Sequence, residues 1–297
     1  MKRIRVAIIG TGNIGTDLCE RMLIDSNFEV VSFIGRRSDS PGLTRFEGRV
    51  KHLLYDGIND LERIINEVDG VFDATSATSH WENWQVTKSA GKWIIDLTPS
   101  KMGIPVVPQL INRIPEMKVT GKIAQNFSMV TCGGQSGAPL VFAFASSSKN
   151  LLSLEISSSI AAKSAGPATR NNIDQYIDST ENLMKLIAGI SSVKAILVLN
   201  PAEPPVMMRT TVTVEADQID LEMAKSKLQE LVNEIQKYVP GYEITIEPKV
   251  LKSGLVTSTV RVRGSGYYLP EFAGNLDIIN AAAVQTAKHH AFLMMDS

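Results

Sequence analysis

The chain has 297 residues, with 30 basic against 31 acidic side chains and a formal charge of −1. That balance leaves no electrostatic footprint for nucleic acid or an anionic membrane, and two cysteines in such a length make neither a disulfide framework nor a cysteine-rich zinc module. The cysteine usage suits a reducing cytosol, no metal-ligand spacing occurs, and the length exceeds what one hydrophobic core supports, so a cytoplasmic protein of two domains is expected.

The N-terminus is basic, and the apolar run at 4–9 is too short for a signal segment and ends in glycines. No stretch reaches the roughly 18 apolar residues of a membrane helix. Strand-like runs then follow at 6–9, 30–34, 70–74 and 93–97, separated by helical patterns at 14–26, 59–67 and 80–90. Strands alternating with helices at this spacing predict βαβ units and a parallel sheet. A further strand is expected in V-T-G-K-I-A, near 117–125.

After Cys132 the pattern changes. A helix is expected at 138–146, strands at 151–160, 193–199, 207–216, 242–250 and 254–262, and long helices at 173–190 and 220–238. This predicts an α+β domain with a mixed or antiparallel sheet. A last helix is expected at about 276–290. The expected division is a dinucleotide-binding domain at 1–130, a catalytic and dimerisation domain at 131–274, and a C-terminal helix at 275–297 that returns to the first domain. No repeat or low-complexity linker separates them.

Gly10-Thr11-Gly12-Asn13-Ile14-Gly15 follows the first strand and opens a helix. The first glycine permits a tight turn, the second lets backbone approach a pyrophosphate, and the third lets helix pack on strand. The helix N-terminus offers free N–H groups to phosphate. A purely structural turn is the weaker reading, because strand, turn and helix stand in the required order. The second strand ends about 20 residues on, where an acidic residue would bind the ribose of NAD. Here it is followed by Arg36, Arg37 and Ser38, which suit a 2′-phosphate, and Asp39 comes late for the acidic role. NADP is therefore favoured over NAD, against the reading of Arg36 and Arg37 as a solvated loop. Asp73-Ala74-Thr75-Ser76 and Leu97-Thr98-Pro99-Ser100 end strands at the same edge. Thr75 and Ser76 would touch the cofactor or cap the next helix.

Cys132 sits where the chain leaves the nucleotide domain, between Thr131 and Gly133-Gly134, at the start of a helix. A helix N-terminus lowers a thiol pKa, and the glycines leave N–H groups free for an oxyanion. A buried structural cysteine is the other reading; Cys19, inside a helix, reads as core. A nucleophilic cysteine beside a nicotinamide implies aldehyde oxidation: a thiohemiacetal, hydride loss to the cofactor, then a thioester taken by an acceptor. The four histidines give no Cys–His pair: His52 falls in a surface strand or loop, His80 starts a helix near the cofactor, and His289 and His290 read as solvated.

Several strings together are more specific: V-A-I-I-G-T-G-N-I-G-T-D-L (6–18), F-D-A-T-S-A (72–77), I-D-L-T-P (95–99), M-V-T-C-G-G-Q (129–135), K-S-A-G-P-A-T-R (163–170) with N-I-D (172–174), L-N-P-A-E-P-P (199–205) and Y-L-P-E-F-A-G-N-L-D-I (268–278). On these the chain resembles, over nearly its whole length, the coenzyme A-dependent acylating acetaldehyde dehydrogenases that partner a 4-hydroxy-2-oxoacid aldolase in aromatic meta-cleavage pathways. The resemblance implies a Rossmann domain plus a glyceraldehyde-phosphate-dehydrogenase-like α+β catalytic domain, and a homo-oligomer. Its implied reactants are acetaldehyde or propanal, coenzyme A and NAD(P). Cys132 becomes the nucleophile. Ser164, Ala165, Gly166 and Asn172 are set facing the cysteine and nicotinamide, and Asn275 near the carboxamide. By residue type alone, Asn172 reads as a helix N-cap, and Asn200, Ala202 and Glu203 as a structural turn.

The chain departs from the family at four places. Met208-Arg209-Thr210-Thr211 stands where Met-Arg-Asp-Thr is usual, so a carboxylate thought to activate the thiol or its acceptor is replaced by Thr210. Tyr267-Tyr268-Leu269-Pro270 replaces His-Tyr-Leu-Pro. Gln135-Ser136-Gly137-Ala138-Pro139 replaces Gln-Ala-Thr-Ile-Pro, with smaller side chains that would widen the pocket. The arginines after the second strand replace an aspartate. Two alternatives follow: a divergent homologue acting on a larger aldehyde or acyl thioester, and a non-catalytic subunit of an aldolase complex.

Overall fold

The computed structural model describes residues 3–120, 124–252 and 254–295. The elements of the first half are β1 (Ile4–Ile9), α1 (Asn13–Ile24), β2 (Phe28–Ile34), α2 (Pro41–Thr44), β3 (His52–Leu54), α3 (Ile58–Ile64), β4 (Gly70–Asp73), α4 (Ala77–Ser89), β5 (Trp93–Asp96), β6 (Ile104–Pro105) and β7 (Asn126–Ser128). Seven parallel strands form one sheet in the order β3-β2-β1-β4-β5-β7-β6. Helices cover both faces, which is why β4 and β5 are buried throughout rather than alternating.

The second half contains α5 (Cys132–Ala145), β8 (Ser148–Ala161), α6 (Pro167–Asn171), α7 (Ile173–Ala188), β9 (Val193–Asn200), β10 (Met208–Ile219), α8 (Leu221–Ile235), β11 (Tyr242–Lys252), β12 (Leu255–Val262) and α9 (Gly274–Met295). Its sheet is mixed, in the order β11-β12-β10-β8-β9, antiparallel except where β8 meets β9. Burial alternates along β10, so Val212 and Val214 face the helices while Thr211 and Thr213 pair with Thr259 and Thr257 on the opposite face. The amphipathic helices α7 and α8 bury Leu183, Met184, Leu228 and Leu231 with α5.

The α/β class and the mixed second sheet are as expected, with element ends moved by a few residues. Four differences have clear causes. The helix after Val130 starts at Cys132, not Ala138, because Thr131 caps it by accepting from Gly134 N–H. Its glycines are held by packing against Tyr176, Leu183 and Ile156. The strand expected near 117–125 is absent from its described part, where Pro115–Met117 forms a 3₁₀ turn; residues 121–123 lie outside the described residues. The strand that does form is β7, and it pairs with β5. His290 is not solvated but 1% exposed, held edge-on between Trp93 and Phe127 because α9 lies over the first sheet.

Buried polar contacts dock α9 and the loop before it onto α1. Asp17 accepts from the backbone N–H of Tyr268 and Leu269 and from Asn280 Nδ2, and Arg21 pairs with Asp277 at 2.5 Å. No described helix is long and apolar enough to cross a membrane.

Candidate active site

The turn after β1 meets the steric demands expected of it. Gly10 has φ +107°, and a Cβ there would overlap the Ala74 carbonyl at the end of β4. A Cβ on Gly15 would overlap the Gly10 carbonyl, which lets α1 start against the strand. Gly12 faces open space at the N-cap of α1, with Asn13 and Ile14 in the first turn behind it. These residues border a cleft of about 650 Å³ that includes Gly10, Thr11, Gly12, Gly35, Arg36, Thr75 and Ser76. Arg36 Nη2 donates to Ser79 Oγ at 2.8 Å on its rim. Arg37 and Ser38 are not in the lining, because Arg37 turns out to solvent and pairs with Asp39 through two hydrogen bonds. Tyr55, Asp56, Gly57 and Asn83 line the cleft and were not foreseen. They arrive from β3 and α4, too far along the chain for local spacing to reveal.

Below the cleft lies a buried cluster. Asp73, His80 and Asp96 are all 0% exposed. His80 Nδ1 is 2.9 Å from Asp73 Oδ2 and 3.6 Å from Asp96 Oδ1, and Asn126 Nδ2 meets its Nε2 at 3.0 Å. Burial opposes charge on His80, but the Asp73 hydrogen bond and the Asp96 charge prevail and raise its pKa. Burial pushes the Asp96 carboxyl up to about 6, against the pull of His80, Ser100 and Thr98. His80 therefore sits in the first turn of α4 beneath the cleft instead of on its wall. Asp73 holds Thr75 N–H and Oγ1, Asp96 holds Thr98 N–H and Ser100 Oγ, and Ser76 caps α4 by accepting from Ser79 N–H. The cluster thus fixes the two strand ends at this edge of the sheet.

Cys132 lies further along the same edge, at the end of β7, two strands beyond β4. Val130 turns the chain there with φ +59°, a costly conformation for a β-branched residue. Cys132 is the first residue of α5 and is 9% exposed. Its Sγ is 3.6 Å from Tyr176 OH, and the Gly133 N–H donates to that same oxygen at 3.0 Å. Two expectations change as a result. Burial pushes the Cys132 thiol up, while Tyr176 and the N–H groups of Gly133 and Cys132 pull it back, so the helix terminus does not win. The Gly133 N–H is already engaged by Tyr176 and is not free for an oxyanion. Cys19 is buried in the core, as expected, and its thiol is also raised by burial.

Ser164 and Ala165 are buried in a turn after β8, where Ser164 Oγ donates to Ala161 O and Arg170 donates to the carbonyls of Ala162 and Ala165; Gly166 then begins α6. Asn172 stands at the N-cap position of α7 without a side-chain cap bond. None of these, nor Cys132 or Asn275, lines the 650 Å³ cleft, which is the glycine-turn end of the edge. Asn275, in the first turn of α9, is 1% exposed, and its Oδ1 has no partner among the described residues; the same holds for Thr98 Oγ1 at the end of β5. Buried polar atoms are normally satisfied, so the Thr98 hydroxyl at this edge fits a polar group of a dinucleotide.

The departures resolve as follows. Thr210 Oγ1 lies 2.7 Å from Ser136 Oγ and 3.0 Å from Ser158 Oγ. Gly137 and Ala138 do not widen a pocket: a Cβ on Gly137 would run into Ile156 and Thr210, and Ala138 is in the core. Tyr267 and Tyr268 lie against the guanidinium groups of Arg21 and Arg45, on the outer side of α1. Asn200 Oδ1 accepts from Ala202 N–H and Lys163 pairs with Glu203, a turn as read. Tyr176 was missed, since a tyrosine on an apolar helix face reads as core. Among the described residues no His/Cys/Asp/Glu group could hold a metal.

A doubly covered parallel sheet with a glycine-rich turn, joined to a mixed sheet by a helix headed by cysteine, is the architecture of a two-part nicotinamide-dependent dehydrogenase. Residues 5–113 match the model of the semialdehyde dehydrogenase NAD binding domain, and residues 132–270 that of the prokaryotic acetaldehyde dehydrogenase dimerisation domain. An acetaldehyde dehydrogenase of Pectobacterium atrosepticum is 42% identical over 283 residues, covering 95% of this chain and 94% of its own. One from Spirochaeta aurantia is 42% identical over 290 residues (98% and 95%), and one from Geobacillus stearothermophilus 40% identical over 295 (98% and 97%). A solved aspartate semialdehyde dehydrogenase II of Vibrio cholerae, complexed with ASA, shares the fold at TM-score 0.66 and 15% identity, over 97% of this chain and 98% of that one. The chain belongs to the prokaryotic acetaldehyde dehydrogenase family of oxidoreductases.

Proposed function

We propose that the protein oxidises a short-chain aldehyde, acetaldehyde or propanal, and transfers the acyl group to coenzyme A, with Cys132 as nucleophile. The observation that carries the reading is Cys132 at the head of α5, on the same carboxyl edge as the glycine turn and Thr98. The Cys132 sulfur adds to the aldehyde carbon, and the carbonyl π electrons move to oxygen. A bound nicotinamide, held by Gly10–Gly15, Thr75, Ser76 and Asn275, supplies the two-electron acceptor. The acyl group is left as a thioester on Cys132. The coenzyme A thiol then forms the new C–S bond as the C–S bond to Cys132 breaks, and one proton is released per turnover. Ser164, Ala165, Gly166 and Asn172 border the nicotinamide end.

Arg36 at the cleft rim supports NADP over NAD, since a guanidinium binds a 2′-phosphate well. Arg37 and Ser38 add less to that preference, because Arg37 is already paired with Asp39. The family model for residues 132–270 supports a homo-oligomer, and the resemblance supports an aldolase partner. Thr210, in place of a carboxylate, favours one second reading, a non-catalytic subunit of such a complex. An aldehyde panel with NAD and NADP, each with and without coenzyme A, tests both. Coenzyme A-dependent reduction that Cys132→Ala abolishes, with cofactor binding intact, is the expected result. Turnover retained by Cys132→Ala removes the cysteine mechanism, and cofactor binding without thioester formation in the wild type leaves the subunit reading.

A further inference from the structure

The family's carboxylate is absent at Thr210, yet the side chains around it are not idle. Thr210 Oγ1 is within 3.0 Å of Ser158 Oγ and 2.7 Å of Ser136 Oγ, and Ser136 Oγ also reaches the Gly133 carbonyl at 3.2 Å. Ser158 Oγ and the Tyr176 phenol both lie beside Gly133, and that phenol touches Cys132 Sγ. β8, β10, α5 and α7 each contribute to this chain, and all five side chains are buried. Gly133 makes room for it, because a Cβ there would overlap Tyr176 OH and stand 2.7 Å from Ser158 Oγ.

We infer that Tyr176 is the hydrogen-bond donor that stabilises the Cys132 thiolate when it forms, and that Ser158, Thr210 and Ser136 form a reversible hydroxyl chain behind it, taking over from the missing carboxylate. This rests on the reading of Cys132 as the nucleophile. With the thiol protonated, Cys132 S–H points at the Tyr176 oxygen, and each hydroxyl donates onward, from Tyr176 to Ser158 to Thr210 to Ser136, which donates to the Gly133 carbonyl. When the S–H bond breaks, its proton leaves for solvent and the electron pair stays on sulfur. Thr210 then donates to Ser158, Ser158 to Tyr176, and Tyr176 to the sulfur. The phenol oxygen meanwhile keeps the Gly133 N–H. No proton is stored in the chain; the hydroxyls only turn, which costs little because each rotates about one bond. Among the described residues the influences on the Cys132 thiol are burial, Tyr176 and backbone N–H groups, with no charged side chain among them. Tyr176 is therefore the lever on its ionisation.

The test is the pH profile of Cys132 alkylation by iodoacetamide in the full chain, with C132A as the blank. Y176F keeps the ring and removes the hydroxyl, and is expected to slow alkylation at pH 7 about tenfold by moving the midpoint up about one unit. S158A, which removes the donor to the phenol, moves it the same way by less, and carries the test if Y176F does not fold. Where acyl-coenzyme A is formed, kcat at pH 7 falls with alkylation, and the deficit closes only as pH passes the variant's raised midpoint, while the cofactor KM stays within twofold. Wild-type alkylation profiles in both variants overturn the inference. Absence of acyl-coenzyme A formation by the wild type overturns the proposed function instead, and leaves the alkylation result to judge Tyr176.

Discussion

Replacing Asp17 with alanine cuts the contacts that fix α9 to α1. Asp17 is 1% exposed, and its oxygens accept from Tyr268 N–H (3.1 Å), Leu269 N–H (3.1 Å) and Asn280 Nδ2 (2.9 Å). Arg21 Nη2 is 4.0 Å away and depends mainly on Asp277. The Tyr268 N–H is near the surface, where water can replace the lost acceptor. The Leu269 N–H and the Asn280 amide are buried, and each stranded donor costs about 1–3 kcal/mol. With the weakened balance around Arg21, the expected loss is about 3–5 kcal/mol. For a chain of this size that lowers Tm by roughly 6–15 °C at fixed protein concentration. D17N keeps the shape and one acceptor, and should lose less than half as much. Urea unfolding followed by tryptophan fluorescence measures both. Because α9 carries Asn275, the cofactor KM of D17A should also rise. A D17A protein within 1 kcal/mol of wild type would refute the claim that these buried contacts, rather than apolar packing, hold α9 in place.

Further outcomes follow from the cluster under the cleft and from its rim. The Asp96 carboxyl is raised from 3.8 to about 6 by burial, so the folded state binds its proton more tightly and stability from this group falls as pH rises through that window. D96N lacks this loss, and its stability relative to wild type should grow by roughly 2–3 kcal/mol between pH 4 and 7; a pH-independent difference contradicts the assignment. The raised His80 acts with the same sign at higher pH, stabilising fully below about 6.5 and fading as pH rises through its folded pKa. On the proposed reading of Arg36 as the 2′-phosphate ligand, R36A should raise KM for NADP at least tenfold and leave KM for NAD within threefold; equal changes in steady-state kinetics would show that Arg36 does not read the ribose.

Local pattern sufficed for much of this protein. Alternating apolar strands and helices specify a parallel sheet because both faces must be covered, and Gly10, Gly12 and Gly15 specify a dinucleotide turn because each replaces a Cβ that would collide or obstruct. The strings around Cys132 and Asn275 specify the family. What the sequence could not supply depends on which side chains meet across the fold. Arg36 and Arg37 are neighbours in sequence, yet one rims the cleft and the other is spent on Asp39. His80 and His290 read as accessible, and packing buries both. Most of all, the loss of a carboxylate at Thr210 looked like the loss of a function. Only tertiary structure brings Tyr176, Ser158 and Ser136 from three other elements to that place, because buried hydroxyls need partners and these find them in one another and in the Gly133 backbone.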